Sequence, residues 1–105
     1  MAKYKIYRTQ GRIDKDIRKH ELVAVEEGSD IFTVTDAIIH AVVADLTESE
    51  EFRHCRADAY APEPVESFRQ NSRYDYYVCG LVMPEHAEKN TILEYGIIEE
   101  SSENI

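Results

Sequence analysis

The alternation of apolar and polar residues predicts four β-strands, two near each end of the chain. Residues 3–8 alternate polar with apolar side chains, as expected for a strand that buries one face. Residues 22–25 form a short apolar run that is followed by a turn at Gly28, and they predict a second strand. Residues 73–83 and 91–98 are rich in Tyr, Val, Ile and Leu and predict the last two strands.

A helix is predicted between the two pairs of strands. Apolar residues recur at intervals of three and four from Val34 to Leu46, and Thr33 or Thr35 can cap the helix that this periodicity predicts. Because apolar residues cover most of its circumference, the helix is expected to lie across the sheet and to be covered on more than one side.

A second helix is predicted to begin directly after the first. Residues 47–50, Thr-Glu-Ser-Glu, match the Thr-x-x-Glu form of a capping box, and the helix that follows would bury Phe52 and Cys55. Residues 53–61 also alternate small apolar with polar side chains, so a strand is the alternative for that segment.

The order of these elements predicts an α+β fold, in which an antiparallel β-sheet of about four strands has one or two helices packed on one face in ββααββ order. Residues 1–100 are expected to form a single domain, and residues 101–105 a frayed acidic tail. The sequence contains no Gly-rich phosphate loop and no parallel βαβ alternation, which argues against a doubly wound nucleotide-binding fold.

Charge is distributed unevenly along the 105 residues, whose formal net charge is -9. Residues 1–20 hold seven basic and two acidic side chains, a balance of +5. Residues 21–105 hold five basic and 19 acidic side chains, a balance of -14. Such asymmetry indicates charged partners, although it says nothing about the fold.

Cysteine content and the character of the amino terminus predict a cytoplasmic protein with reduced thiols. Cys55 and Cys79 are the only cysteines, whereas small secreted scaffolds carry more, and the first residues lack the apolar segment of an export signal. The longest apolar stretch, residues 37–44, is much shorter than the roughly 20 residues that cross a bilayer, so no membrane association is expected.

The sequence contains no clear catalytic or metal-binding constellation. Its four histidines are scattered and none has the spacing of a structural zinc site. Cys79 with His86 is the one conceivable thiol and base, but the apolar neighbours of Cys79 favour a protonated, inert thiol. The paired carboxylates lie in polar runs rather than in apolar surroundings that would perturb them. We therefore expect no cofactor, no metal and no enzymatic activity.

Two sets of residues are candidates for binding a protein partner. An acidic stretch could contact a basic surface or imitate the phosphates of a nucleic acid. It consists of Asp45, Glu48, Glu50, Glu51, Asp58, Glu63 and Glu66. A cluster of aromatic and arginine side chains has the composition of an interface anchor, with a sheet core as the simpler interpretation. It consists of Arg69, Arg73, Tyr74, Tyr76 and Tyr77.

The leading functional hypothesis is a non-enzymatic acidic module that binds a protein with a basic surface. Such a module could inhibit a nucleic-acid-handling protein, for example a defence nuclease, by competing with nucleic acid. The opposite charges of the two parts of the chain also predict self-association, with a homodimer as the expected form.

Two alternatives remain open. Direct nucleic-acid binding could use a basic patch in the opening segment. That patch consists of Lys3, Lys5, Arg8, Arg12, Lys15, Arg18 and Lys19. A small enzyme built on Tyr, His or Cys is the second alternative, although no two such groups can be placed together from the sequence.

Overall fold

The computed structural model describes residues 1–9, 20–66, 73–85 and 90–101. In this part of the chain there are six strands, one 3-10 turn and one α-helix. In chain order they are β1 (Ala2–Arg8), β2 (Glu21–Gly28), the 3-10 turn (Ile31–Val34), α1 (Thr35–Glu48), β3 (Arg56–Ala59), β4 (Glu63–Pro64), β5 (Tyr76–Met83) and β6 (Thr91–Ser101). Residues 102–105 of the predicted tail lie outside the described residues.

All six strands belong to one sheet with antiparallel pairing throughout. The strand order is β2-β1-β6-β5-β3, and β4 pairs with β5 beside β3. The sheet curls into a half-barrel. Strands from the two ends of the chain therefore lie side by side, with Ile6 of β1 opposite Ile97 of β6.

The core lies between α1 and the face of the sheet that α1 covers. The helix buries Ile38, Val42 and Leu46, which follow one another at intervals of four and so lie on one side of the helix. They pack in a cluster with fully buried residues of three strands. These are Tyr4, Ile6, Val78, Val82, Tyr95 and Ile97. Among the described residues no helix has the length and apolar character that crossing a membrane requires.

The predicted ββααββ order with four strands and two helices is wrong. Thr47 does not cap a new helix, because its hydroxyl donates back to the carbonyl of Val43 at 3.0 Å and thereby belongs to the last turn of α1. Residues 49–55 form turns, and the alternative strand interpretation holds for Arg56–Ala59. The remaining extra strand is β4, where Pro64 is tolerated because it pairs at an edge of the sheet.

Alkaline unfolding is expected because three tyrosines, Tyr4, Tyr74 and Tyr95, are buried in their neutral form. Burial and a hydrogen bond to Glu99 raise the pKa of Tyr4 to about 12, and burial raises the pKa of Tyr74 to about 12, from 10.0 in both cases. The stability that these two phenols contribute is complete below pH 10 and is lost as the pH rises from 10 to about 12.

Tyrosinate absorbance and far-ultraviolet circular dichroism, recorded on the same samples, check this expectation. The late part of the tyrosinate signal should appear together with the loss of strand structure. A Tyr4→Phe variant should shift the alkaline midpoint upward, and an unchanged midpoint would show that Tyr4 is not coupled to unfolding.

Candidate functional site

Three exposed carboxylates, Glu48, Glu50 and Glu51, lie at or directly after the carboxyl-terminal end of α1, and we call them the acidic end of α1. Glu48 is the last residue of the helix, and the other two lie in the turns that follow. None of the three forms an ion pair with the other residues that the structure describes. The backbone carbonyls at this end already give the helix a partial negative charge, and the last turn of α1, which is described in full, contains no basic residue. The negative potential of the helix end and of the side chains therefore adds up.

A cavity of about 510 Å³ lies beside the acidic end of α1. Leu46, Phe52 and Leu93 form its apolar wall, and Glu51 is on its rim. Leu46 is fully buried, whereas Phe52 and Leu93 are half-buried. The cavity thus connects the hydrophobic core to an acidic part of the surface.

A hydrogen-bond network around Asp45 forms the polar wall of the cavity. The Tyr95 hydroxyl donates to Asp45 Oδ2 at 2.5 Å, and Arg8 Nε donates to the same oxygen at 2.8 Å. Arg8 Nη2 donates to Asp45 Oδ1, and Arg8 Nη1 donates to Glu21 at 2.9 Å. The network ties α1 to β1, β2 and β6.

Around neutral pH, Asp45 stays ionised and Tyr95 stays neutral. Burial raises the pKa of Asp45, but hydrogen bonds from Arg8 and Tyr95 lower it by more, so the net pKa lies below 3.8 and the carboxylate is ionised. Burial and the hydrogen bond to Asp45 raise the pKa of Tyr95 far above 10.0, so the phenol stays neutral. The network is a fixed support and not a proton-transfer pair that titrates near neutrality.

Ser49 holds the turn that positions the phenyl ring of Phe52. Its hydroxyl donates to the Leu46 carbonyl at 3.0 Å and accepts from the Phe52 amide at 3.3 Å. Ser49 itself has an extended backbone, with ψ at 145°, which ends the helix. The chain therefore turns back over the sheet directly after α1, and Phe52 closes one side of the cavity.

The acidic stretch predicted from sequence is divided between the two faces of the sheet. A Cβ atom on Gly80 would meet Leu46 of α1, so Gly80 faces the helix, and Tyr77 and Leu81 face the other way. Asp58 pairs with Leu81 and Glu63 pairs with Tyr77, so both carboxylates lie on the face opposite α1. Glu66, also exposed, follows β4.

Basic residues of the opening segment are engaged with acidic residues of the same chain where the structure describes them. Lys3 lies 3.8 Å from Glu27, and Lys5 lies 2.9 Å from Glu100. Arg8 is bound by Asp45 and Glu21, as above. The other four members of the basic patch lie outside the described residues. These are Arg12, Lys15, Arg18 and Lys19.

Two of the three clustered tyrosines serve packing. Tyr74 is 5% exposed and lies against Gly96, and the Tyr76 ring meets Tyr4 edge to face with centroids 6.4 Å apart. Tyr77 is half-buried on the face opposite α1, and its hydroxyl donates to Glu63 at 3.1 Å. Arg73 is exposed, and Arg69 lies outside the described residues.

Tyr95 was missing from the sequence prediction, and the pairing of Arg8 with Asp45, each predicted in a different set, was not expected. Tyr95 and Arg8 meet Asp45 across 50 and 37 residues of sequence, a distance at which spacing carries no information. One signal was present in the sequence. Asp45 lies seven residues after Ile38 and so on the apolar side of the predicted helix, where an acidic residue needs a partner.

Among the residues that the structure describes, no group of three or more His, Cys, Asp or Glu side chains could hold a metal ion. Cys55 and Cys79 are half-buried and form no disulfide with each other, and His86 lies outside the described part of the chain. Comparison of the chain with protein-family models, with curated proteins and with solved structures found no match.

Proposed function

We propose that the protein is a non-enzymatic binding module that docks the acidic end of α1 onto a basic surface of a protein partner in the cytoplasm. The observation that carries this proposal is the position of Glu48, Glu50 and Glu51, which are exposed at the negative end of a helix without an ion-pair partner among the described residues. A partner that normally holds nucleic acid has the basic surface that this site needs.

The energetics of the helix end support a binding role. A negative side chain in the last turn of a helix is unfavourable by about 0.3–1 kcal/mol at low ionic strength, because it meets the negative end of the macrodipole. Lysine or arginine side chains of a partner would reverse this interaction in the complex. Glu48, which lies in that last turn, would thus destabilise the free protein and stabilise the complex.

Charge balance supports a basic partner rather than nucleic acid. The described residues include 17 acidic and six basic side chains, a formal balance of -11. Lys3, Lys5 and Arg8 are among those six, and each already contacts a carboxylate of this chain. A phosphate backbone would be repelled by this distribution, which speaks against direct nucleic-acid binding through the described part of the basic patch.

Neutralising two residues of the acidic end of α1 is expected to weaken partner binding roughly tenfold at low ionic strength, since each lost ion pair is worth up to about 1 kcal/mol. The variant is Glu48→Gln with Glu50→Gln. The matched control is Asp36→Asn with Glu66→Gln, which removes the same charge from two other exposed positions.

The measurement is capture of proteins from cell extract on the immobilised chain, with elution by increasing salt and quantification by mass spectrometry. A basic protein should be released from the Glu48→Gln, Glu50→Gln variant at lower salt than from the wild type, and from the control variant at nearly the same salt. Equal loss with both variants, or release that does not depend on ionic strength, would refute the proposal.

A further inference from the structure

We infer that the cavity beside the acidic end of α1 receives the guanidinium side chain of an arginine that the partner presents. The inference that a protein partner supplies the arginine rests on the proposed function. The preference for a guanidinium group rests on the residues that line the cavity. Its volume of about 510 Å³ falls in the range of roughly 300–1,000 Å³ that is usual for ligand pockets.

Several hydrogen-bond donors in the wall of the cavity are already used within the fold. The hydroxyl of Tyr95 donates to Asp45, and that of Ser49 donates to the Leu46 carbonyl. Arg8 uses three of its five N–H groups, one on each side-chain nitrogen, to donate to carboxylates of this chain. A ligand that needs donors, such as a carboxylate or a phosphate, would therefore find few of them here.

Acceptors remain available on the same wall. Glu51 accepts no hydrogen bond from another described side chain, and it lines the cavity. Asp45 Oδ1 accepts one described bond, from Arg8 Nη2, although a carboxylate oxygen can accept two. The wall therefore favours a ligand rich in donors that carries a positive charge.

The apolar wall favours arginine over lysine. The phenyl ring of Phe52 lies on the cavity and can stack on a planar guanidinium group, which loses its hydration more easily than an ammonium group does. Leu46 and Leu93 can cover the aliphatic stem of the side chain. A guanidinium can also bind Glu51 through two parallel hydrogen bonds, which an ammonium cannot do.

Nuclear magnetic resonance titration with blocked single amino acids tests the preference. Blocked arginine should shift the amide signals of Leu46, Ser49, Phe52 and Leu93 in a saturable manner, with a dissociation constant of about 1 mM. Blocked lysine should bind more weakly, and blocked citrulline, the uncharged isostere, at least about tenfold more weakly. Identical shifts with arginine and citrulline, or no saturable shift with arginine, would overturn the inference.

Two single variants distinguish binding inside the cavity from general electrostatic attraction by the carboxylates around it. Glu51→Gln should weaken the binding of blocked arginine roughly fivefold, because Glu51 lines the cavity. Glu50→Gln, which removes the same charge from a neighbour outside the cavity, should change it less than about twofold. Equal effects would mean that only general electrostatic attraction is at work, and the cavity would lose its role. Thermal unfolding of both variants checks that each is folded.

The partner-capture experiment distinguishes the two proposals. If Glu51→Gln weakens blocked-arginine binding and also weakens partner capture more than Glu50→Gln does, the partner's arginine occupies the cavity. If it weakens blocked-arginine binding but lowers capture no more than Glu50→Gln does, while Glu48→Gln with Glu50→Gln still weakens capture, the docking proposal stands and the assignment to the partner's arginine fails. If blocked arginine binds but no basic partner is captured, the docking proposal fails and the cavity is a site for a small guanidinium compound.

Discussion

Replacing Asp45 with alanine is expected to lower the free energy of unfolding by about 3 kcal/mol, because it removes the acceptor that two other elements share. The hydroxyl of Tyr95 would lose its hydrogen bond in a position where the residue is 1% exposed. Arg8 would keep only Glu21 as a partner among the described side chains. Urea denaturation of the wild type and the variant measures the difference.

Two comparisons show whether the effect belongs to the network. Glu48→Ala, on the same helix and exposed, should leave stability unchanged or slightly raised, since it relieves the negative end of α1. Because the folded-state pKa of Asp45 is lowered, its contribution is present above pH 3.8 and is lost as the pH falls through the folded pKa. Asp45→Asn should therefore lose less stability on acidification than the wild type. Equal acid sensitivity would show that Asp45 carries no such linkage.

The hydrogen-bond network around Asp45 also matters for binding, because it fixes the position of the carboxyl-terminal end of α1. Asp45 fixes the last turns of the helix to β1 and β6, and the helix end in turn places Glu51 and Phe52 at the cavity. If the helix end were loosened, binding of the partner would have to order it, and the entropy lost in doing so would lower the affinity for the partner. The Asp45→Ala variant should consequently bind the partner more weakly, both because the helix end is loosened and because the cavity wall loses the Asp45 carboxylate.

Elements with a strong local pattern could be predicted from sequence. The strand predicted over residues 3–8 corresponds to Ala2–Arg8, and the helix predicted from Val34 to Leu46 corresponds to Thr35–Glu48. In both, side chains repeat with the period of the structure, so burial of one face follows from the sequence itself.

Elements that depend on distant parts of the chain could not be predicted. β4 exists because Glu63 and Pro64 lie next to β5, and nothing in these two residues favours a strand. The capping-box pattern at Thr47 was misleading, because a threonine can as well donate to a carbonyl of the preceding helical turn. The same Thr-x-x-Glu pattern is compatible with a threonine that caps a new helix and with one that donates into the preceding turn. Tertiary packing decides which of the two forms.

The candidate site also combines features that could be predicted from sequence with features that could not. The charges of Glu48, Glu50 and Glu51 are visible in the sequence, and their exposure could be expected from their polar surroundings. The cavity could not be expected, since its walls combine the end of α1 with the first residues of β6 and the last of β1. Likewise, the ion pairs of Lys3 with Glu27 and of Lys5 with Glu100 depend on the pairing of β1 with β2 and β6.

Gly96 in β6 allows an aromatic ring to pack directly against the backbone. Its position faces away from α1, and the Tyr74 ring covers it there, between Tyr7 and His20. A Cβ atom on Gly96 would lie 2.5–2.6 Å from three atoms of that ring. Real Cβ atoms do not approach other atoms so closely, and the ring is a rigid group in a buried position.

Gly96→Ala is therefore expected to destabilise the protein by about 2–3 kcal/mol, because Tyr74 must leave its place over the strand. Gly80→Ala is the matched control in the neighbouring strand. Its Cβ would meet Leu46 Cδ1 at 2.8 Å and Val42 Cγ1 at 3.3 Å. The Leu46 methyl group ends a flexible side chain that can turn aside, and Val42 must move by only a few tenths of an ångström, so a smaller loss of about 1 kcal/mol is expected.

A double-mutant cycle with Tyr74→Leu isolates the cause. Because both single changes disturb the same contact, the double variant should be more stable than the sum of the two losses predicts, by about 1 kcal/mol or more. Urea denaturation of the four proteins supplies the values. Additive losses, or equal losses for Gly96→Ala and Gly80→Ala, would show that the ring of Tyr74 does not require a glycine at position 96.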